Sequence, residues 1–277
     1  MSNATNSASG FAEVNGTQIY YEVAGAGHGL VLIHAGIADS RMWDDQFSVF
    51  AQHYRVLRYD LRGYGKSACP PGPYALRDDL HALLQHLNIA KAHLIGVSMG
   101  GSLAVDFTLT HPEMVSALIP VCAGLGGFEA PDDPAETAYI KRMEEAYHAG
   151  DKERLNELEV HLWVDGLGRT PDQVSPTIRE RVREMNGLAL SREAETDQSE
   201  PQRLDPPAAG RLSEIHAPTL VIIGDEDLPG VQATANKLAT DISGAQKSVI
   251  HNTAHVPNME RPDEFNRLVL DFLAPLA

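Results

Sequence analysis

Ala92-His93-Leu94-Ile95-Gly96-Val97-Ser98-Met99-Gly100-Gly101-Ser102-Leu103-Ala104-Val105-Asp106-Phe107 decides how the chain is read. An apolar run enters at Ala92, a helix-like run leaves after Gly101, and Ser98 stands alone at the corner between them. Small residues two before and two after that serine are what such a corner demands, because a side chain at either place would strike the flanking strand or helix. A strained corner of this kind persists only where its surroundings over-determine it, and such positions cluster at functional sites. A glycine-rich turn that merely contains a serine has the same local pattern. The rest of the chain has to decide between the two.

With 277 residues, 43% of them hydrophobic, the chain can bury a sizeable core and suits one α/β domain carrying an insertion. Its formal charge of −16, from 22 basic and 38 acidic residues, argues against nucleic acid as a partner and serves solubility. Cys69 and Cys122 are too few for a disulfide framework, and Cys122 lies in an apolar run where it reads as a core residue. No basic start leads into an apolar stretch, and no apolar run approaches the ~20 residues that cross a bilayer. The expectation is a soluble cytoplasmic protein, monomer or homodimer, without a membrane partner.

Residues 1–10 are small and polar and read as a disordered tail. Phe11 to Val14 and Thr17 to Val23 flank Asn15-Gly16, the dipeptide that most readily makes a type I′ hairpin. Gly29 to His34 and Tyr54 to Tyr59 read as strands, the first nearly all apolar and therefore suited to a parallel sheet covered on both faces. Between them Ser40 is placed to cap a helix carrying Met42, Trp43, Phe47 and Phe50, and Leu76, Leu80, Leu83, Leu84 and Leu87 then recur at helical spacing. After a strand at Val115 to Val121, residues 124–210 turn helical and polar with no evident strand, which predicts an inserted helical cap. Strands resume at Ala217 to Ile223 and Gln246 to His251, and Pro262 opens an amphipathic closing helix carrying Phe265, Leu268, Val269, Phe272 and Leu273. The core is thus expected over 11–123 and 211–277.

Ser98 is a poor nucleophile unless an imidazole accepts its proton, and that imidazole needs an orienting acid. In open α/β sheets such groups gather at the carboxyl ends of the strands. Gly224-Asp225-Glu226-Asp227 follows one late strand and His251-Asn252-Thr253-Ala254-His255 follows the last, so the order serine, acid, histidine suits a strand-turn-helix hydrolase. At this level either histidine and any of the three acids remain open. The N–H of Met99, at the start of the helix after Ser98, is placed to hold a developing oxyanion.

Four motifs resemble the α/β-hydrolase fold superfamily, in its serine esterase and lactonase members, over nearly the whole chain. They are His34-Ala35-Gly36 followed by Trp43, Asp60-Leu61-Arg62-Gly63-Tyr64-Gly65-Lys66-Ser67, Gly96 to Gly101, and Ala254-His255-Val256-Pro257-Asn258-Met259-Glu260-Arg261-Pro262. The resemblance implies a mostly parallel central sheet flanked by helices, with an inserted helical cap. It implies a triad of Ser98, Asp227 and His255, with Asp225, Glu226 and His251 as bystanders and His34, Asp60 and Arg62 as structural. The backbone N–H of Gly36 joins that of Met99 in the implied oxyanion hole. Where the family commonly has His-Gly, this chain has His34-Ala35, so alanine is expected to bear strain that glycine usually takes. Ile37, Trp163 and Val256 are the candidates for the substrate pocket.

The implied activity is hydrolysis of a small carboxylic ester or lactone through an acyl-enzyme on Ser98, a carboxylic ester hydrolase (EC 3.1.1.-) with no cofactor and no metal. Serine at the elbow argues against haloalkane dehalogenases and epoxide hydrolases, which carry aspartate there. Gly36 to Trp43 resembles the corresponding loop of 3-oxoadipate enol-lactonases, and Gly-x-Ser-Met-Gly-Gly is shared with carbon–carbon bond hydrolases and cofactor-free haloperoxidases or perhydrolases, which stand as alternatives. A non-enzymatic small-molecule receptor on the same scaffold is the reading from another class.

Overall fold

Asn15 and Gly16 both adopt positive φ, 46° and 74°, and turn strand β1 (Ser7–Val14) back onto β2 (Thr17–Ala24) as the expected hairpin. In this computed structural model, which describes residues 7–192 and 198–276, the strand begins at Ser7. The expected tail is therefore wrong for Ser7 to Gly10, where Ser7 pairs with Ala24 and Gly10 with Tyr21; residues 1–6 lie outside the described residues. Backbone pairing asks nothing of the side chains, and those of the first three residues are exposed, so no hydrophobic pattern marks this strand.

Six further strands complete the main sheet: β3 (Gly29–Ile33), β4 (Arg55–Tyr59), β6 (Ala92–Val97), β7 (Val115–Val121), β9 (Leu220–Gly224) and β10 (Gln246–Ile250). They stand in the order β1-β2-β4-β3-β6-β7-β9-β10; the pairs β1/β2 and β2/β4 are antiparallel and the others parallel. Every residue of β3, β6 and β9 is buried, which is why these segments are continuous apolar runs rather than alternating ones. Helices α1 (Asp44–Phe50), α2 (Leu76–His86) and α3 (Met99–Thr110) connect the early strands, and Trp43, Tyr59, Phe50, Phe107 and Phe265 are the largest of the fully buried side chains. Ser40 does not cap α1. The Asp39 side chain caps a 3₁₀ turn over Ser40–Trp43, while the Ser40 N–H donates to Asp60 Oδ1 at 2.8 Å.

The segment between β7 and β9 is helical as expected, with α4 (Pro134–His148), α5 (Lys152–Val160) and α6 (Pro176–Ser191). Asp133 accepts from the N–H groups of Ala135 and Glu136 to start α4, with Pro134 in the first turn where its missing N–H costs nothing. Tyr139, Ala146, Leu155, Leu158 and Leu162 form a small core with Leu228. One expectation fails here, because Ser199–Pro201 is a strand, β8, pairing in parallel with β5 (Gly72–Tyr74) apart from the main sheet. Pro73 and Pro201 are tolerated because each strand has only one neighbour. The chain closes with α7 (Pro229–Asp241), α8 (Pro257–Glu260) and α9 (Pro262–Leu273), the last burying Phe265, Val269 and Leu273. Among the described residues no helix is long and apolar enough to cross a membrane.

Two arginines seat this helical segment on the sheet domain. Arg181 donates to Asp45 Oδ2 at 2.9 Å and to Arg41 O at 3.1 Å. Arg169 donates to Asp165 O and Val164 O on its own side and, across the junction, to Asn252 O at 3.0 Å and Glu260 Oε2 at 2.8 Å. Glu260 in turn accepts the Ala254 N–H at 2.7 Å, so one buried ion pair fastens the loop from 252 to 260 to the helical segment. Removing one partner of such a pair strands the other without its counter-charge, which typically costs about 3–5 kcal/mol. Arg169→Met is expected to cost about 3 kcal/mol in urea denaturation. The double variant with Glu260→Gln is expected to lose less than the two single losses added together. Strict additivity would show the pair is not coupled.

At the opposite end of the sheet, fully buried His93 on β6 packs against His28, ring centroids 4.6 Å apart, and edge-on to Tyr54 at 5.7 Å. Neither ring nitrogen has a hydrogen-bond partner. Burial, followed by the charges of His28 and Lys91, pushes His93 down to about 4. An unfolded chain binds that proton below about 6.5 and the folded one does not until about 4. Stability from this group is therefore present above 6.5 and is lost as pH falls toward 4. His93→Leu is expected to show a smaller drop in Tm between pH 7 and pH 4.5 than the parent. An equal drop would remove His93 from the account.

Candidate active site

Ser98 sits between β6 and α3 with φ 55° and ψ −116°, a left-handed conformation that non-glycine residues rarely adopt. Its N–H donates to Val121 O at 2.9 Å and its carbonyl accepts the Ser102 N–H at 2.9 Å, so the corner is held from β7 and from the helix it starts. The flanking glycines are a matter of clearance. A Cβ on Gly96 would lie 2.1 Å from Gly100 O, and one on Gly100 would lie 2.4 Å from Ile33 O and 2.6 Å from His34 O. Any larger residue at either position would push α3 off the strands and move Ser98 with it.

The loops after β9 and β10 bring Asp227 and His255 together. His255 Nδ1 lies 2.8 Å from Asp227 Oδ2 and 3.0 Å from Oδ1, with both side chains buried. A carboxylate only accepts, so Nδ1 donates and Nε2 is the nitrogen left to take a proton. Nε2 is buried and makes no hydrogen bond, to Ser98 or to any other group. The Asp227 carboxylate is steadied by the Leu228 N–H at 2.8 Å. The competing acid and histidine pair with each other instead: Asp225 Oδ2 lies 2.8 Å from His251 Nδ1, and Asp225 Oδ1 accepts the Asn252 N–H. That pair is solvated and ties the ends of the same two strands together. Glu226 donates its N–H to Thr253 O and carries no contact to His255 among the described hydrogen bonds.

The remaining expected residues fall into place unevenly. Met99 is the first residue of α3, where N–H groups have no acceptor within the helix. Gly36 faces it, with a Cβ built on Gly36 falling 3.8 Å from Met99 Sδ. Ala35 does not take left-handed strain: it is absent from the positive-φ residues and sits fully buried, its N–H directed at Met42 Sδ. The sharp backbone turn that would need glycine is simply not made there. His34 Nε2 accepts the Leu61 N–H and Nδ1 donates to Ala35 O, and burial pushes its pKa down, so it is a neutral loop anchor. Asp60 accepts from the N–H groups of Ser40 and Lys66, and Arg62 forks onto Asp79.

Of the pocket candidates, Ile37 lines a cavity of about 450 Å³ that also touches Gly36, Tyr64, Tyr74 and Glu159. Trp163 and Val256 do not line it. Trp163 instead lies in a π-helical turn over His161–Asp165, its ring 4.4 Å from the His255 ring and its carbonyl accepting the His255 N–H at 3.1 Å. Val256 is fully buried in the core, because the turn into α8 points it inward.

Sequence reasoning missed Cys122. It directly follows β7 with φ 45°, and its sulfur, Asp227 and His255 place donor atoms within 4.8 Å of one another. Burial, with the Asp227 charge second, pushes its thiol well above the ordinary value, so it stays protonated, directed at Ala254 O at 3.7 Å. These three residues are the one grouping of metal-ligating donors found among the described residues, and Asp227 and His255 are already bonded to each other. An apolar run offers no signal for a thiol packed beneath a carboxylate.

A strained serine, an imidazole oriented by a buried carboxylate, and an N–H at a helix start are the parts of acyl transfer. The family model of the alpha/beta hydrolase fold matches residues 30–262. The chain is 31% identical over 271 residues to a 2-hydroxy-6-oxononadienedioate/2-hydroxy-6-oxononatrienedioate hydrolase from Burkholderia vietnamiensis, covering 92% of this chain and 91% of that protein. Among solved structures, it is similar to the enol-lactonase from Burkholderia xenovorans, with TM-score 0.77, 28% identity, and coverage of 96% of this chain and 100% of the other. The bromoperoxidase from Bacillus anthracis superposes with TM-score 0.79 at 26% identity, covering 96% of this chain and 100% of the other. The chain is a hydrolase belonging to the α/β-hydrolase fold family.

Proposed function

We propose that the protein is a serine hydrolase that cleaves a small carboxylic ester or lactone. The observation that carries this is the left-handed Ser98 at the carboxyl end of the sheet, combined with a buried Asp227–His255 pair whose Nε2 is unbonded. Ser98 Oγ adds to the carbonyl carbon while its proton passes to His255 Nε2. The oxyanion is held by the N–H groups of Gly36 and Met99. The C–O bond to the alcohol then breaks, the leaving oxygen taking the proton back from Nε2. Water repeats the sequence on the acyl-enzyme, and the acid leaves with Ser98 restored. Asp227 keeps its charge throughout and fixes the tautomer and aim of the ring. The unbonded Nε2 is consistent with hydrogen bonds that tighten only once substrate is present.

A second reading is carbon–carbon bond hydrolysis, favoured by the names of the relatives that align over most of the chain. Both readings use the same three residues and differ in the bond presented to them. Ser98→Ala is expected to lower kcat at least ~10⁴-fold on p-nitrophenyl esters, and Asp227→Asn by about 10³- to 10⁴-fold, with circular dichroism unchanged. Asp225→Asn is expected to change kcat less than about threefold. Retained turnover in the Ser98 variant overturns the assignment. With the parent protein, kcat/KM for p-nitrophenyl butanoate or δ-valerolactone is expected to exceed that for 2-hydroxy-6-oxononadienedioate at least tenfold. The reverse ranking moves the protein to the carbon–carbon class.

A further inference from the structure

Helix α5 runs on from Val160 into one π-helical turn over His161–Asp165, closed by the Gly166 N–H on His161 O at 3.0 Å. Turns of this kind are rare and recur beside functional sites. This one is held from inside by fully buried Asp165, whose Oδ1 accepts from Arg179 Nε at 2.8 Å while Oδ2 lies 2.9 Å from His161 Nδ1. It is also seated on both loops of the triad. Gly166, at φ 77°, has no room for a side chain, since a Cβ there would lie 2.6 Å from Glu226 O, beside Asp227. On the other loop the Trp163 carbonyl takes the His255 N–H. Backbone contacts on two sides thus fix where the Trp163 indole goes, and it packs against the apolar residues of both the sheet domain and the helical segment.

That indole meets the imidazole of His255 with ring centroids 4.4 Å apart and planes 41° apart, so the rings overlap rather than lie side by side. A cation within about 6 Å of an indole centroid is attracted by its π-electrons, most strongly where water is excluded. His255 becomes such a cation whenever it takes a proton from Ser98 or from water. The residue is 3% exposed and Nε2 is buried and unbonded, so the charge arises where water solvates it poorly. Asp227 answers it at Nδ1. The Cys122 thiol on the strand side stays protonated, and Glu260 behind the loop is engaged by Arg169 and the Ala254 N–H. We propose that Trp163 is a positioning residue of the hydrolysis: its π-surface stabilises the imidazolium formed on His255, acting through that ring rather than on the substrate. The proposal rests on His255 being the base, which the ester and carbon–carbon readings share.

The test withdraws electrons from the indole while barely changing its shape. The chain has two tryptophans, Trp43 and Trp163, so the parent is prepared with mono-, di- and trifluorotryptophan. Trp163→Phe, labelled in the same way, reports what fluorine does at fully buried Trp43. With p-nitrophenyl butanoate, log kcat of the parent is expected to fall in step with the number of fluorines, about 3- to 10-fold in all, with KM held within about twofold. In the Trp163→Phe series the fall is expected to stay under about 1.5-fold. Unlabelled Trp163→Leu, which keeps the carbonyl and the apolar bulk, is expected to lose kcat about 3- to 30-fold, and Trp163→Phe less than that. A kcat indifferent to fluorine, an equal fall in both series, or a change confined to KM, as a substrate wall would give, overturns the proposal. If the parent turns over no ester, or His255→Gln turns it over as fast, the acyl-transfer reading is what fails. The contact is then read by NMR from the Cε1–H resonance of His255, assigned by its loss in His255→Gln. That resonance is expected to titrate at progressively lower pH as fluorines are added, and a midpoint that stays in place overturns the proposal.

Discussion

The approach of Gly100 to the carbonyls of Ile33 and His34, and of Gly96 to the carbonyl of Gly100, is the contact on which the rest depends. At the clearances these glycines leave, α3 starts directly against β6 and β3. The chain can then pass from strand to helix in one residue only by putting that residue at positive φ. Ser98 occupies the position and has beside it the N–H of Met99, which as the first residue of α3 has no acceptor within the helix. The parallel order of β3, β6, β7 and β9 then brings the loops bearing Gly36, Cys122 and Asp227 to the same edge, and β10 adds that of His255. A local steric fact thus becomes an arrangement of groups drawn from widely separated parts of the chain.

Charge is managed by pairing. Arg62 with Asp79, Arg169 with Glu260, Arg179 with Asp165 and Asp227 with His255 are close pairs in which at least one side chain is almost wholly buried. Breaking any of them would leave a charge in low dielectric, so each fixes a loop more firmly than a surface pair could. Two act on the histidine loop from opposite sides: Asp227 holds the ring, and Glu260 with Arg169 holds the backbone leading into it. Through Arg169 and the Trp163 carbonyl, the helical segment is part of what positions His255 rather than an independent cover.

What could be read beforehand was whatever has a short-range cause. The Asn15-Gly16 turn, the buried runs of β3, β6 and β9, the elbow glycines and the order of Ser98, Asp227 and His255 all leave local marks, as steric demands or continuous apolar character. The four motifs added the choice of Asp227 over Asp225 and of His255 over His251, which residue type alone left open. Features with long-range causes stayed hidden. Ser7 to Gly10 and Ser199–Pro201 are strands because a partner lies alongside, not because of their side chains. Trp163, taken for a pocket wall, stacks on His255, and Val256 turns inward, since the path of a helical insertion is decided by packing. Ala35 carries no strain because the backbone around it never makes the turn that glycine would serve.

The central claim is that the left-handed serine is the residue that takes the acyl group, and the most direct measurement is of the covalent intermediate itself. Rapid acid quench of the protein during turnover of p-nitrophenyl pentanoate, followed by intact-mass and peptide mass spectrometry, should give one pentanoyl group in place of a hydrogen, about +84 Da, located on the peptide containing Ser98. An acyl group found on Cys69, Cys122 or any other residue in place of Ser98, or turnover with no acyl-protein at any quench time and none in a variant slowed at Asp227, would contradict the account.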